Sequence, residues 1–141
     1  MKKTRIALLS FMFPEYCIQL GNALSEKAEL YMLLPERHVL FYRDCIAPAV
    51  RAIPFRLPRL RSLPANILMI RKVLSSLDEI SPEIVHLQVG HPWFNLKMPA
   101  LSRKYPFVTT VHDVNTHSGD RESKKFIFKD LAIRYSDHFI V

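Results

Sequence analysis

Glycine is scarce in this sequence. Gly21, Gly90 and Gly119 are the only three in 141 residues, and none belongs to a GxGxxG or GxxxxGK pattern. Local evidence for a glycine-built phosphate cradle is therefore weak, although the amino end of a helix could still hold an anion through its free N–H groups. Cysteine is scarcer still. Cys17 and Cys45 cannot build a disulfide scaffold or a zinc cage, which predicts reduced thiols and a cytoplasmic protein. There is no HExxH and no CxxC to place metal ligands on one element, and no GxSxG to present an activated serine. No apolar run approaches the roughly 18–20 residues of a membrane span.

What is present is a globular composition, 49% apolar and 23% charged. The length suits one domain over residues 1–141. The opening MKKTRIALLSFMFPEY has a basic start and a short apolar run, but no small-residue cleavage site follows, so it reads as a buried first strand rather than a signal peptide.

Apolar runs and helical stripes then alternate. Arg5–Ser10, Leu30–Leu34, Glu83–Val89, Phe107–Val111 and His138–Val141 read as strands. Val50–Phe55 is a sixth candidate, which Pro54 would either confine to an edge or end. Pro14 and Glu15 open a helix whose Cys17, Leu20, Ala23 and Leu24 are expected to face the core. Ser62 is expected to cap a second helix, with Pro64 in its first turn, a stripe of Ile67, Ile70, Leu74 and Leu77, and a stop at Ser81-Pro82. A third lies within Phe94–Lys104, and a fourth follows the polar stretch Asn115–Glu122 with Phe128, Leu131, Ala132 and Tyr135 on one face. The pattern predicts an α/β fold: a doubly wound, Rossmann-like, mainly parallel sheet of about six strands in three layers.

In such sheets ligands bind beyond the carboxyl ends of the strands. That rule selects Phe11–Tyr16, Gly90–Phe94 and His112–His117. His112 and Asp113 come first as catalytic candidates: an imidazole can exchange hydrogen bonds near neutral pH, and a carboxylate can orient it or a substrate hydroxyl. The competing reading has both residues capping the loop through backbone bonds. His91, Trp93 and His117 are further candidates, although Trp93 could serve only to plug the sheet edge. His86, inside a strand, is expected to be a satisfied core histidine. Imidazole and carboxylate ligands from His91, His112, Asp113 and His117 could in principle meet a metal, but no compact ligand pair supports this, and no metal is expected.

The net charge of +7 is unevenly spread. Arg51, Arg56, Arg59, Arg61, Arg71 and Lys72 are interleaved with leucine and isoleucine, a pattern that suits either a solvated helix face or an anionic membrane surface. The second would place the protein peripherally at the inner face of the membrane. No nucleic-acid-binding pattern accompanies the charge.

Taken in order, RIALLSFMFPE, PEIVHLQVGHPW, YPFVTTVHDV and LAIRYSDHFIV resemble the N-terminal domain of glycosyltransferase family 4, retaining enzymes of GT-B fold that use sugar nucleotides. The matching positions are His112-Asp113 at the end of a strand, and Ser136-Asp137 before the last one. The resemblance implies that His112 faces an interdomain cleft and helps place the donor sugar or the acceptor hydroxyl. It puts Pro14, Glu15, Tyr16 and His91 around the acceptor. Many members carry a glycine pair after the first strand; here Phe13, Pro14 and Glu15 stand there. The resemblance also implies a nucleotide-sugar donor as substrate, no metal or other cofactor, and a second domain supplying most donor contacts. The chain is thus expected to be an acceptor-side half, acting on a glycan or lipid-linked acceptor and transferring no sugar alone. The alternatives are a non-catalytic α/β module that binds a partner chain and, less favoured given the few glycines, a small self-contained hydrolase or nucleotide-binding protein.

Overall fold

The structure is a computed structural model that describes residues 2–112 and 130–141. Six strands form one sheet: β1 (Arg5–Ser10), β2 (Glu29–Pro35), β3 (Arg51–Phe55), β4 (Ile84–Val89), β5 (Phe107–Thr110) and β6 (His138–Ile140). All pair in parallel, in the order β3-β2-β1-β4-β5-β6. This is the doubly wound arrangement expected from the alternating pattern, with its switch point between β1 and β4.

The apolar runs exist because both faces of the sheet are covered. Along β1, Ala7 and Leu9 join a core with Phe11, Leu33, Val73, Leu77, Leu87 and Phe107. Leu8, on the opposite face, joins Cys17, Ile18, Leu30 and Met32. The first face is covered by α3 (Leu63–Ile80), the second by α1 (Pro14–Ser25). Gly21 lets α1 lie close: a Cβ there would stand 3.2 Å from Leu30 and Met32 side-chain atoms. Two acidic side chains hold strand starts in register. Glu83 accepts from the Arg5 N–H at 3.0 Å and Asp137 from the Phe107 N–H at 2.8 Å. The Ser136-Asp137 pair therefore has a structural task, because Ser136 also bonds Thr109 at 2.6 Å.

Several local expectations need correction. In α1 the buried stripe is Pro14, Cys17, Ile18, Gly21 and Ser25; Ala23 is exposed, and Leu20 and Leu24 are half-buried. In α3 it is Met69, Ile70, Val73, Leu77 and Ile80, while Ile67 faces solvent. The Ser62 hydroxyl makes no cap. Its carbonyl instead accepts the Asn66 N–H at 2.9 Å and the Asn66 side-chain amide at 2.7 Å. The helix expected within Phe94–Lys104 is two single turns, α4 (Pro92–Asn95) and α5 (Met98–Leu101), each with proline in its first turn. A short α2 (Glu36–Phe41) follows β2. Residues 130–134 are helical, with Ala132 buried; Asn115–Glu122 and Phe128 lie outside the described residues.

Candidate functional site

The loops after β1 and β4 part at the switch point, and a cavity of about 660 Å³ opens there. Met12 and Phe13 line it from the first loop, Gly90 and His91 from the second, His112 from the end of β5, and Leu57, Pro58 and Leu60 from the segment after β3. Most of the wall is carbon. The polar groups reaching it are few: Gln88, His91, Asn95, Thr109, Thr110 and His112. A largely apolar cleft with a few convergent polar groups is the ordinary form of a small-molecule site.

His112 is exposed, with its ring between two aromatics, 5.8 Å from Phe13 and 5.7 Å edge-on from Tyr16. Its Nε2 lies 3.2 Å from Nε2 of Gln88, a side chain fully removed from solvent. The Gln88 carbonyl oxygen accepts from the Thr110 hydroxyl at 3.2 Å, and that hydroxyl meets His86 Nε2 at 2.9 Å. His86 is thus a satisfied core residue, and burial lowers its pKa below the usual histidine range. His91 stacks on Phe11 at 5.2 Å and is also held toward the neutral form by burial. Gly90 is needed beside it, since a Cβ would fall 2.5 Å from the Asn95 carbonyl oxygen that accepts the His91 N–H.

The other candidates are placed differently. Pro14 is buried in the first turn of α1. Glu15 accepts from the Tyr42 hydroxyl, and that bond holds its carboxyl below the usual range. Trp93 packs on the core, donates to the Leu60 carbonyl at 3.0 Å and does not itself line the cavity. Asp113 and His117 lie outside the described residues. Among the described residues no group of three His, Cys, Asp or Glu side chains could hold a metal. Cys17 is buried and its thiol is pushed up to about 12, leaving no nucleophile there at neutral pH.

Gln88 and Thr110 carry no motif in the sequence and lie in runs that read simply as buried strands. The available signal was periodicity. His86 and Gln88 are two apart on a buried strand and so share one face, one step from Thr110 across the Leu87–Thr109 pair. Phe13 also has a conformation that its residue type disguises, φ 52° and ψ 61°, the left-handed region that glycine enters freely.

The profile of Glycosyltransferase Family 4 matches residues 15–141. The chain belongs to that family. No curated protein sequence matches it. Among solved structures, sucrose-phosphate synthase (tll1590) from Thermosynechococcus elongatus is similar with a TM-score of 0.69 at 15% identity, covering 99% of this chain and 42% of that one. MurG from Acinetobacter baumannii is similar at TM-score 0.64 and 8% identity, covering 96% and 40%. A putative UDP-N-acetylglucosamine 2-epimerase from Listeria monocytogenes is similar at TM-score 0.65 and 12% identity, covering 97% and 38%. At these identities the likeness is one of fold. The family 4 domain described here spans about two fifths of the length of each of these proteins.

The basic residues divide between two rims of this domain. Arg51 opens β3 at its amino end, where it pairs with Glu29 at 2.8 Å and lies over the Tyr31 ring. Arg56, Arg59 and Arg61 follow β3 at the carboxyl end, and Arg71 and Lys72 are on α3; all five are exposed. Leu60, Leu63, Ile67 and Leu68 are exposed among them, at 47–64% of their full surface. The segment that carries Leu60 is fixed. The buried Asn66 amide donates to the carbonyls of Arg59, Leu60 and Ser62, and Trp93 donates to that of Leu60. No helix among the described residues is long and apolar enough to cross a membrane.

Proposed function

We propose that this glycosyltransferase-type domain is the acceptor-side half of an enzyme that moves a sugar from a nucleotide-sugar donor to a glycan or lipid-linked acceptor. The observation that carries this reading is the presentation of His112 from the end of β5 onto the cavity at the switch point. An acceptor hydroxyl would enter between the loops after β1 and β4, with His112 and Tyr16 at its edge and His91 deeper in the wall. Asp113 and His117, adjoining His112 in sequence, are proposed as further contacts. Donor phosphate would be held chiefly by a second α/β domain. Two features support that division: Pro14 has no N–H to offer, and Phe13 stands in the loop after β1 in place of a glycine.

Leu60, Leu63, Ile67 and Leu68, ringed by Arg56, Arg59, Arg61, Arg71 and Lys72, suit a surface resting on anionic lipid, with apolar side chains at the acyl boundary and cations at the phosphates. Leu60 belongs both to this patch and to the cavity wall, so a lipid-linked acceptor could pass from one to the other. The interaction-module reading draws on β6, whose Phe139 and Ile140 are exposed.

Amide chemical-shift titration separates the two. Glycans and alkyl glycosides should move Tyr16, Gly90, His91 and His112, and His112→Ala should abolish the response. Silence towards every such compound would favour the module. The chain alone should turn over no nucleotide sugar, and measurable turnover would refute the proposed division of labour.

A further inference from the structure

A chain of side-chain hydrogen bonds runs along β4 and β5 from the interior to the cleft. His86 Nε2 meets Thr110 Oγ1 at 2.9 Å, Thr110 Oγ1 meets Gln88 Oε1 at 3.2 Å, and Gln88 Nε2 meets His112 Nε2 at 3.2 Å. With the Gln88 amide set as it is, oxygen to Thr110 and nitrogen to His112, donor and acceptor chemistry gives the chain one direction. An amide oxygen only accepts, so the Thr110 hydroxyl spends its single proton on Gln88. At its other side that hydroxyl accepts, and His86 donates from Nε2–H. With its oxygen engaged, the Gln88 amide turns its nitrogen to His112, and an amide nitrogen only donates. The facing His112 Nε2 must then be a bare lone pair.

We propose that Gln88 is a positioning residue that fixes His112 as the Nδ1–H tautomer, so that the neutral ring offers the cleft a hydrogen-bond donor and not a base. A neutral imidazole carries one proton, and with Nε2 committed as acceptor that proton sits on Nδ1. Among the described residues nothing bonds Nδ1. The rings of Phe13 and Tyr16 stand beside that of His112, 5.8 and 5.7 Å away between centroids. The relay begins at a buried His86, which burial holds toward its neutral form. The ligand atom that suits such a donor is an oxygen with a free lone pair, such as a sugar hydroxyl, a ring oxygen or a phosphate oxygen. The role towards that oxygen rests on the acceptor-side reading; the tautomer does not.

The test is the two-bond proton–nitrogen correlation spectrum of the 15N-histidine-labelled 141-residue chain at pH 8.5, with His112 assigned by its loss in His112→Ala. The wild-type ring should show a protonated Nδ1 and an unprotonated Nε2. Gln88→Leu should return His112 to the mixed pattern of a free imidazole. Gln88→Glu presents an acceptor in place of the donor and should invert the tautomer. A wild-type ring protonated on Nε2 overturns the proposal, whether or not either variant folds. So does a His112 pattern unchanged in folded Gln88→Leu. The spectrum needs no sugar, so a fixed tautomer alongside silent glycan titrations would sink the functional reading and leave this one standing.

Discussion

The Phe13 ring lies 5.8 Å from the ring of His112, and Phe13 reaches it from a left-handed backbone at φ 52°. Two demands meet in one residue. The turn into α1 needs a conformation suited to glycine, and the cleft gains an aromatic wall that glycine cannot provide.

That conflict can be measured in the two truncated variants. Phe13→Ala loses the ring and keeps the left-handed strain, whereas Phe13→Gly loses both. Phe13→Gly should be the more stable of the two by about 1 kcal/mol, read from urea midpoints at equal slope. Equal midpoints would mean that the turn relaxes without cost. Both variants should weaken glycan-induced shifts at His112.

The thiols should behave as opposites. Cys17 is buried with its pKa pushed up to about 12, and Cys45 is exposed. A thiol reagent at pH 8 should label one cysteine in the native chain and two after denaturation, and Cys45→Ser should bring the native count to none. Rapid labelling of Cys17 in the folded protein would contradict its packing under β1 and β2.

Stability should fall on mild acidification. Burial lowers the pKa of His86 and of His91 below the usual value of 6.5, so below that pH the unfolded chain takes up protons that the folded chain refuses. Their contribution is complete above about pH 6.5, begins to be lost below it, and is gone once pH has fallen through the lowered folded values. Urea midpoints at pH 7.5 and 5.5 bracket the window and stay above the carboxylate range, where Glu15 and Asp78, both lowered by hydrogen bonds, would add their own loss. A flat profile between the two would remove the case for a neutral His86 at the start of the relay.

The basic rim should separate from the basic edge. Co-sedimentation with phosphatidylserine vesicles should fall roughly fivefold for each of Arg59→Ala, Arg71→Ala and Lys72→Ala, at about 1 kcal/mol per cation. It should disappear in Ile67→Glu/Leu68→Glu and weaken in 0.5 M salt. Arg51→Ala should change little, because that guanidinium is already paired with Glu29 on the opposite rim. Equal loss with Arg51→Ala would show diffuse attraction to positive charge and no defined face.

The sheet was legible because its central strands β1, β2 and β4 are buried on both faces, and runs such as Leu30–Leu34 have few other uses. Pro54 left β3 either an edge strand or a broken one, and it is the edge strand. Helix faces were less legible. Ile67 has the right spacing for the α3 stripe, yet it falls in the first turns, beyond the part of α3 that packs on the sheet. The single helix expected within Phe94–Lys104 is two turns, each with a proline in its first two positions. Within the site, the two histidines after strands were found by position alone. Gln88 was not, since a buried amide in an apolar run declares its purpose only when Thr110 and His112 are seen beside it.

Pro54 has a consequence for solubility. It sits in the outermost strand, and its ring stands where an incoming polypeptide would seek an N–H. A neighbouring molecule trying to lengthen the ladder on that flank meets a gap in the rung pattern, which guards this protein against edge-to-edge aggregation from that side.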